Sequence, residues 1–427
     1  MIFNILSCLY LLVLTSHALQ PKYSTWMLES IISRSEGINP ADGLLGVIQK
    51  GLFQESLHAV IQRSTDAAQI AKWSAYHRQS VDTNIGDLLN ASASSRHLSL
   101  DRLCIGRSIL EAHLDTPLHR QTLKSLRRSL DLQYRNENSG FWYFVDPPPP
   151  YEAYGNLSYS DGMYAFAPFA TLYGFIYGDE STNLDTALRQ LQLLYENSVQ
   201  ASTGLILHGY DASRGAPWAD PMTGASPILW GRSLAWYMIG VVDTLEIVDR
   251  LSPSKDRKIK MEEVFQGILD IFQRLAHGTV RMILDSTRVT GRYAIWQVMD
   301  RPGEPGNFVE ASASAMISFA LAKGVRLGYL SGETGHQELF LQNDVQLKEH
   351  FWGAKVMSVA RALYQDVLDH FVVEDEENGS LQFHGTSIIA SLHEEKLDYE
   401  YYTHRAVMTN SLIGTSAFVL SSLEMEH

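Results

Sequence analysis

The stretch "ASASAMISFALAKG", residues 311–324, carries no charge until Lys323 and sets small or apolar side chains on every side of a helical turn. A helix of that kind has no wet face and is buried all round. Two further segments read almost the same way, "AWYMIGVVDTLEIV" (235–248) and "SLIGTSAFVLSSLE" (411–424). Between them run helices of the other kind. Leu184, Ala187, Leu188, Leu191, Leu194 and Tyr195 recur on one helix face, as do Val264, Ile268, Ile271, Phe272 and Leu275, and again Val356, Val359, Leu363, Val367 and Phe371. These helices have one dry side and one wet side.

Buried and amphipathic helices therefore alternate, which is a degenerate repeat of helical hairpins. Each buried segment opens on a polar signature: Asp161-Gly162, Gly231-Arg232, Glu310-Ala311-Ser312 and Asn410-Ser411. Stacked in a line, such hairpins make a solenoid. Closed into a ring, they make an inner barrel wrapped by an outer one, with all inner N-termini on one face. The ring is the expected form, an all-α toroid in which Asp161, Arg232 and Glu310 meet in one funnel. The stiff loops "DPPPPY" (146–151) and "DRPGEPGN" (300–307) precede two of the buried helices on that face. No Pro/Gly/Ser-rich linker divides the chain, so a single domain over residues 19–427 is expected.

The first 18 residues are read separately. Ile2 to Leu14 is apolar but short for a membrane span, and Ser16-His17-Ala18 puts small residues where a signal peptidase cuts. A signal peptide over 1–18 and a soluble, secreted protein are expected, with no membrane span later in the chain. With Cys8 in the signal, Cys104 stands alone and packing must hold the fold without a disulfide. Sequons at Asn90, Asn156 and Asn378 mark candidate surface glycosylation sites. A formal net charge of −14 argues against nucleic acid as a partner, and an anionic substrate would need locally concentrated cations. Phosphate-loop, dinucleotide, HExxH and paired-cysteine motifs are absent, so neither a cofactor nor a metal is assigned. Oligomeric state has no signature in the sequence.

Two segments carry chemistry. In "NLSYSDGMYAFAPFATLYG" (156–174), Asp161 stands directly before an apolar and aromatic run. Desolvation there would keep its proton on and make it a general acid near neutral pH; the competing reading is an N-cap. In "HGYDASRGAPWADPMTGASPILWGRSLAWY" (208–237), Trp218, Trp230 and Trp236 surround Arg232, with His208 nearby. Aromatic faces with a few polar groups suit a sugar. Arg232 and Trp236, four residues apart, share a helix face; the Arg either clamps a substrate carboxylate or forms an Arg–Asp pair inside the fold with the tryptophans as core.

The motifs "SDGMYAFAPFATLYG", "HGYD", "WADPMTGASPILWGRSLAWY", "WQVMDRPGEPGNFVEASASAMISFALAKGVRLGYL" and "NSLIGTSAFVLSSLE" keep their order from about residue 100 to the C-terminus. Together they resemble the unsaturated rhamnogalacturonyl hydrolases of glycoside hydrolase family 105, which are similar to the unsaturated glucuronyl hydrolases. The resemblance implies an (α/α)6 barrel. It implies an enzyme that removes the 4,5-unsaturated uronic acid a polysaccharide lyase leaves at the non-reducing end of an oligosaccharide. In that chemistry an aspartic acid protonates the vinyl ether, water adds, and the hemiketal opens and expels the aglycone. The resemblance puts the acid at Asp161 and a second carboxylate at Asp101, in "SLDRLCIGRSIL" (99–110), and it puts His208, Arg232, Trp236 and Trp230 at the substrate. Two alternatives stay open on the residues alone: an inverting hydrolase of saturated glycans, with Asp161 as acid and Asp101 as base, and a carbohydrate-binding barrel in which Asp161 is only a cap.

Overall fold

The computed structural model describes residues 22–39, 46–147, 156–178, 180–251, 255–330 and 352–427. The expected signal peptide and residues 148–151 of the proline-rich loop lie outside them. In chain order the first helices are α1 (Tyr23–Ser33), α2 (Gly46–Arg63), α3 (Ala67–Asp82), α4 (Ile85–Leu88), α5 (Ala91–His97), α6 (Leu103–Glu111) and α7 (Pro117–Asp131). There follow α8 (Gly162–Tyr177), α9 (Glu180–Ser198), α10 (Gly231–Leu251), α11 (Lys255–Thr290), α12 (Ala311–Arg326), α13 (Trp352–Phe371), α14 (Tyr399–Thr403) and α15 (Leu412–Met425).

Neighbour by neighbour, α2 packs on α6, α6 on α8, α8 on α10, α10 on α12, α12 on α15, and α15 back on α2. These six form a closed inner ring, and the three segments read as buried all round are α10, α12 and α15. The amphipathic helices α9, α11 and α13 stand outside α8, α10 and α12, with α3 outside α2 and α7 outside α6. The sixth outer place is filled from the other end of the chain. Helix α1 lies against α15, and the Ser24 amide and hydroxyl donate to Glu426 Oε1 and Oε2 at 3.0 and 2.6 Å. The architecture is the (α/α)6 barrel. Among the described residues, no helix is long and apolar enough to cross a membrane.

The inner ring is close-packed through small residues. A Cβ built on Gly240 of α10 would stand 2.7 Å from the Met163 carbonyl oxygen and 2.8 Å from Tyr164 Cα on α8, so only glycine lets these two helices approach. A polar network ties the ring across its axis. Arg107 of α6 donates to Asp243 of α10 at 2.6 Å and to Glu55 of α2 at 3.2 Å. Lys323 of α12 donates to the other Asp243 oxygen at 2.6 Å, and Tyr164 of α8 donates to Glu55 at 2.7 Å. Glu424 of α15 takes Arg326 of α12 and Arg63 of α2. Every inner helix contributes to these links.

The connections at the N-terminal mouth of the ring are short β-ribbons. Leu157–Tyr159 pairs antiparallel with Gly209–Asp211, and Thr386–Ser387 with Val407–Met408. They bring Tyr159, His208 and Ser387 to the mouth.

The α8–α10 contact gives a direct test. Gly240→Ala forces a methyl into backbone atoms and is expected to destabilise by roughly 1–3 kcal/mol, seen as a lowered midpoint in denaturant. Gly86→Ala, where a Cβ meets nothing within 4 Å, is expected to be neutral or up to about 1 kcal/mol stabilising. Equal midpoints for the two variants would contradict the close packing.

Candidate active site

The inner N-termini converge on an open-mouthed cavity. Asp101, Asp161, Arg232, Trp230 and Trp236 all face it, together with Tyr143 and Tyr159. Asp101, Asp161 and Arg232, 60 and more apart in sequence, thus share one wall because each sits at or just before an inner-helix start.

Asp161 does not cap its helix. Its backbone is already helical (φ −56°, ψ −40°) and its side chain takes no backbone N–H of α8. Instead Oδ2 accepts the Ser233 hydroxyl at 2.6 Å, and His208 Nε2 stands 3.6 Å from the same oxygen. The residue is 7% exposed, and burial, aided by the neighbouring Asp101 charge, pushes its carboxyl up to about 7. Glu310, at the same place before α12, behaves in the opposite way: Oε2 accepts the Ala313 amide at 2.6 Å, a true cap.

Asp101 is fully buried in the turn before α6. Tyr143 donates to its Oδ2, while Oδ1 has no protein partner. Burial raises this carboxyl to about 6, and the Tyr143 and Ser99 hydroxyls and the Arg102 charge restrain the rise. The two carboxyls thus lie in one cavity and burial raises both, with the Asp101 charge adding to the rise at Asp161.

Arg232 is engaged on its cavity-facing helix end. Nη2 donates to Ser387 Oγ at 2.7 Å and to the Ile388 carbonyl at 2.9 Å, and Nη1 lies 3.6 Å from Glu310 Oε1. The internal partner is a glutamate, Glu310, and the guanidinium also stands 5.1 Å from the Trp230 ring centre. Trp230 is fixed by donating Nε1 to Gln297 at 3.0 Å, and Trp236 leans on Tyr164 with ring centres 4.7 Å apart.

His208 is placed differently from the sequence expectation of direct substrate contact. It is 0% exposed and outside the cavity lining, wedged between Trp230 and Tyr159 with Nδ1 2.8 Å from the Tyr402 hydroxyl. Burial lowers it to about 3, so the ring is neutral behind Asp161. The reason is positional: it sits in the bend directly before the strand Gly209–Asp211, whose partner strand Leu157–Tyr159 leads into Asp161. Asp211, in the same motif, is structural, accepting the Ser213 and Ala216 amides.

Three contributors have no signature in the sequence. Tyr143 and Tyr159 stack at 4.3 Å on the wall, and Tyr159 is held by His393 Nδ1 at 2.6 Å and the Leu392 amide at 2.8 Å. Ser233 lies next to Arg232 in the sequence, where a lone serine carries no signal of its own. Among the described residues, no group of three His, Cys, Asp or Glu could hold a metal ion.

The model of the family described as Glycosyl Hydrolase Family 88 matches residues 46–344. A 24.9 kDa protein in the picA locus of Rhizobium radiobacter is 34% identical over 166 residues, 39% of this chain and 63% of that protein. The chain thus covers 63% of the length of the curated relatives it matches. The fold is similar to that of a family 105 glycoside hydrolase from C. acetobutylicum ATCC 824, at 25% identity and TM-score 0.73, covering 95% of this chain and 99% of that one. It is also similar to an unsaturated glucuronyl hydrolase, responsible for the degradation of glycosaminoglycan, from Bacillus sp. GL1, at 12% identity and TM-score 0.61 over 95% of each chain.

The raised carboxyl has a consequence for stability. Unfolded, Asp161 ionises near pH 4; folded, near 7. The folded state therefore holds the proton more tightly, and stability contributed by the protonated form is full below pH 4 and lost as pH rises towards 7. Asp161→Asn removes that titration. It is expected to be more stable than the wild type at pH 8 by roughly 2–4 kcal/mol, with the gap closing at pH 4. Denaturant midpoints at the two pH values check this; a variant destabilised equally at both would mean that the carboxyl is not held protonated.

Proposed function

The chain belongs to glycosyl hydrolase family 88, and on that premise we propose that it removes a 4,5-unsaturated uronic acid from the non-reducing end of lyase-generated oligosaccharides. The observation that carries this is the pair of buried carboxyls, both raised, facing one cavity beside a buried arginine. The pectic rhamnogalacturonan products are the proposed substrates, and the reading of residues 1–18 as a signal places the work outside the cell.

Asp161 supplies a proton to C4 of the alkene, and the ring oxygen spreads the positive charge that develops at C5. Water adds at C5 and gives its proton to the Asp101 carboxylate, whose Oδ1 has no protein partner. The hemiketal opens, C1 becomes a hemiacetal, and the aglycone leaves as an alcohol. The pair then holds one proton again. The uronate carboxyl hangs on C5, adjacent to the reacting carbon, so the guanidinium of Arg232 and the acid must be close, as they are. Trp230 and Trp236 cover the apolar face of the sugar.

The decisive experiment follows loss of the alkene absorbance on lyase-digested pectic oligosaccharide. Wild type is expected to consume the alkene, and in D2O the early product is expected to carry deuterium at C4. Asp161→Asn is expected to lose 10²–10⁴-fold or more in rate, as loss of general acid catalysis does. New reducing ends from saturated glycans, with the alkene untouched, would overturn the proposal in favour of direct hydrolysis.

Arg232 gives a second test. Arg232→Ala is expected to weaken substrate binding by about 2–5 kcal/mol, with only partial recovery in Arg232→Lys, because an ammonium lacks the planar fork. Steady-state kinetics on a uronate and its methyl ester read the pairing: the ester should discriminate wild type from variant much less than the free acid does. An unchanged KM in folded Arg232→Ala would remove the arginine from the site.

A further inference from the structure

We propose that Ser233 is a positioning residue for Asp161: its hydroxyl donates to Oδ2 and so keeps the transferable proton on Oδ1, the oxygen left for the substrate. The inference rests on the alkene-hydration reading above and adds to it how the acid is aimed.

A carboxylic acid has two oxygens and one proton, and in a buried site the proton's location is decided by which oxygen is already accepting a hydrogen bond. Ser233 is fully buried, and its Oγ stands 2.6 Å from Asp161 Oδ2. A hydroxyl has a single proton to give. The competing acceptor, the His208 carbonyl, is farther away at 3.3 Å. The short contact therefore uses the proton on Oδ2. His208 Nε2 faces the same oxygen at 3.6 Å, and burial keeps that imidazole neutral. No cation stands there to strip the acid of its proton. The other charged or titratable groups around Asp161 are Asp101, Arg232 and the phenols of Tyr143, Tyr159 and Tyr402. None is recorded within hydrogen-bond distance of the Asp161 carboxyl.

The position of Ser233 in the chain strengthens the point. It follows Arg232 in the first turn of α10. In a 4,5-unsaturated uronate, the carboxyl and the protonated carbon are both bonded to C5. One helical turn thus fixes the group for the carboxylate and aims the acid at the adjacent carbon. A shift of that turn would misplace both together, which keeps their relative geometry constant.

The test is the pH dependence of kcat/KM for alkene loss in wild type, Ser233→Ala and Ser233→Thr. A hydroxyl that donates to the carboxylate stabilises it. Its removal in Ser233→Ala is expected to move the basic limb up by about one pH unit and to lower kcat about tenfold, because the proton is no longer confined to one oxygen. Ser233→Thr keeps the donor, so its limb is expected at the wild-type pH even if the added methyl slows turnover. A limb that moves down in Ser233→Ala would mean that Ser233 accepts the Asp161 proton, and an unmoved limb with a lower rate would mean a packing role; either overturns the inference. If Ser233→Ala does not fold, Ser233→Cys, close in shape and a weaker donor, reads the same shift at smaller size. Infrared titration of the Asp161 carboxyl in wild type against the serine variants needs no turnover. A wild type inactive on every lyase product would thus overturn the function, while the infrared shift alone decides the role of Ser233.

Discussion

Arg107 reaching Asp243 across the barrel axis is the contact on which the rest of the ring turns. It lies at the centre of links that take one polar side chain from each of α2, α6, α8, α10 and α12. Burial pushes the Glu55 carboxyl up, while the Arg107 and Lys323 charges hold Asp243 down. Such buried pairs contribute little net stability against an apolar alternative, but breaking one leaves an uncompensated charge. Their value here is registry: a helix that slid or rotated within the ring would lose its partner. Close packing through Gly240 adds a second constraint of the same kind.

A ring held in register points all six inner N-termini the same way, and the helix dipoles add where they converge. Burial nevertheless outweighs the dipoles for the two aspartates of this mouth, whose carboxyls are both raised. Asp101, Asp161 and Glu310 gather there. The opposite mouth collects helix C-termini, and Arg63, Arg250, Lys323 and Arg326 stand in or near the last turns of α2, α10 and α12. These cations are paired there with acids, Lys323 with Glu246 and Arg326 with Glu424.

Two acids at matching places show how environment rather than residue type decides a role. Glu310 has the longer side chain, reaches its own helix and becomes a cap with an arginine beside it. Asp161 is shorter, its backbone is already helical, and a serine from the next inner helix takes its oxygen. With no cation in contact, burial governs its proton affinity. The apolar run after Asp161 hinted at a raised pKa; the missing cap could be seen only in three dimensions.

The sequence by itself determined the long helices from α8 onward, their sorting into inner and outer, and the gathering of Asp161, Arg232 and Glu310 at one face, while α1 to α7 carried no comparable pattern. All three follow from the period of apolar residues and from where each buried run begins, which are local properties of the chain. It did not determine how α1 completes the ring, because its partner Glu426 is 402 residues away and nothing in either segment names the other. Nor did it place His208 behind the acid, tie Arg232 to Glu310 and Ser387, or bring Tyr143 to Asp101. Those contacts join side chains from different hairpins, and their geometry exists only once the ring has closed. Burial then follows from the closed ring, and burial is what sets the proton affinity of both carboxyls.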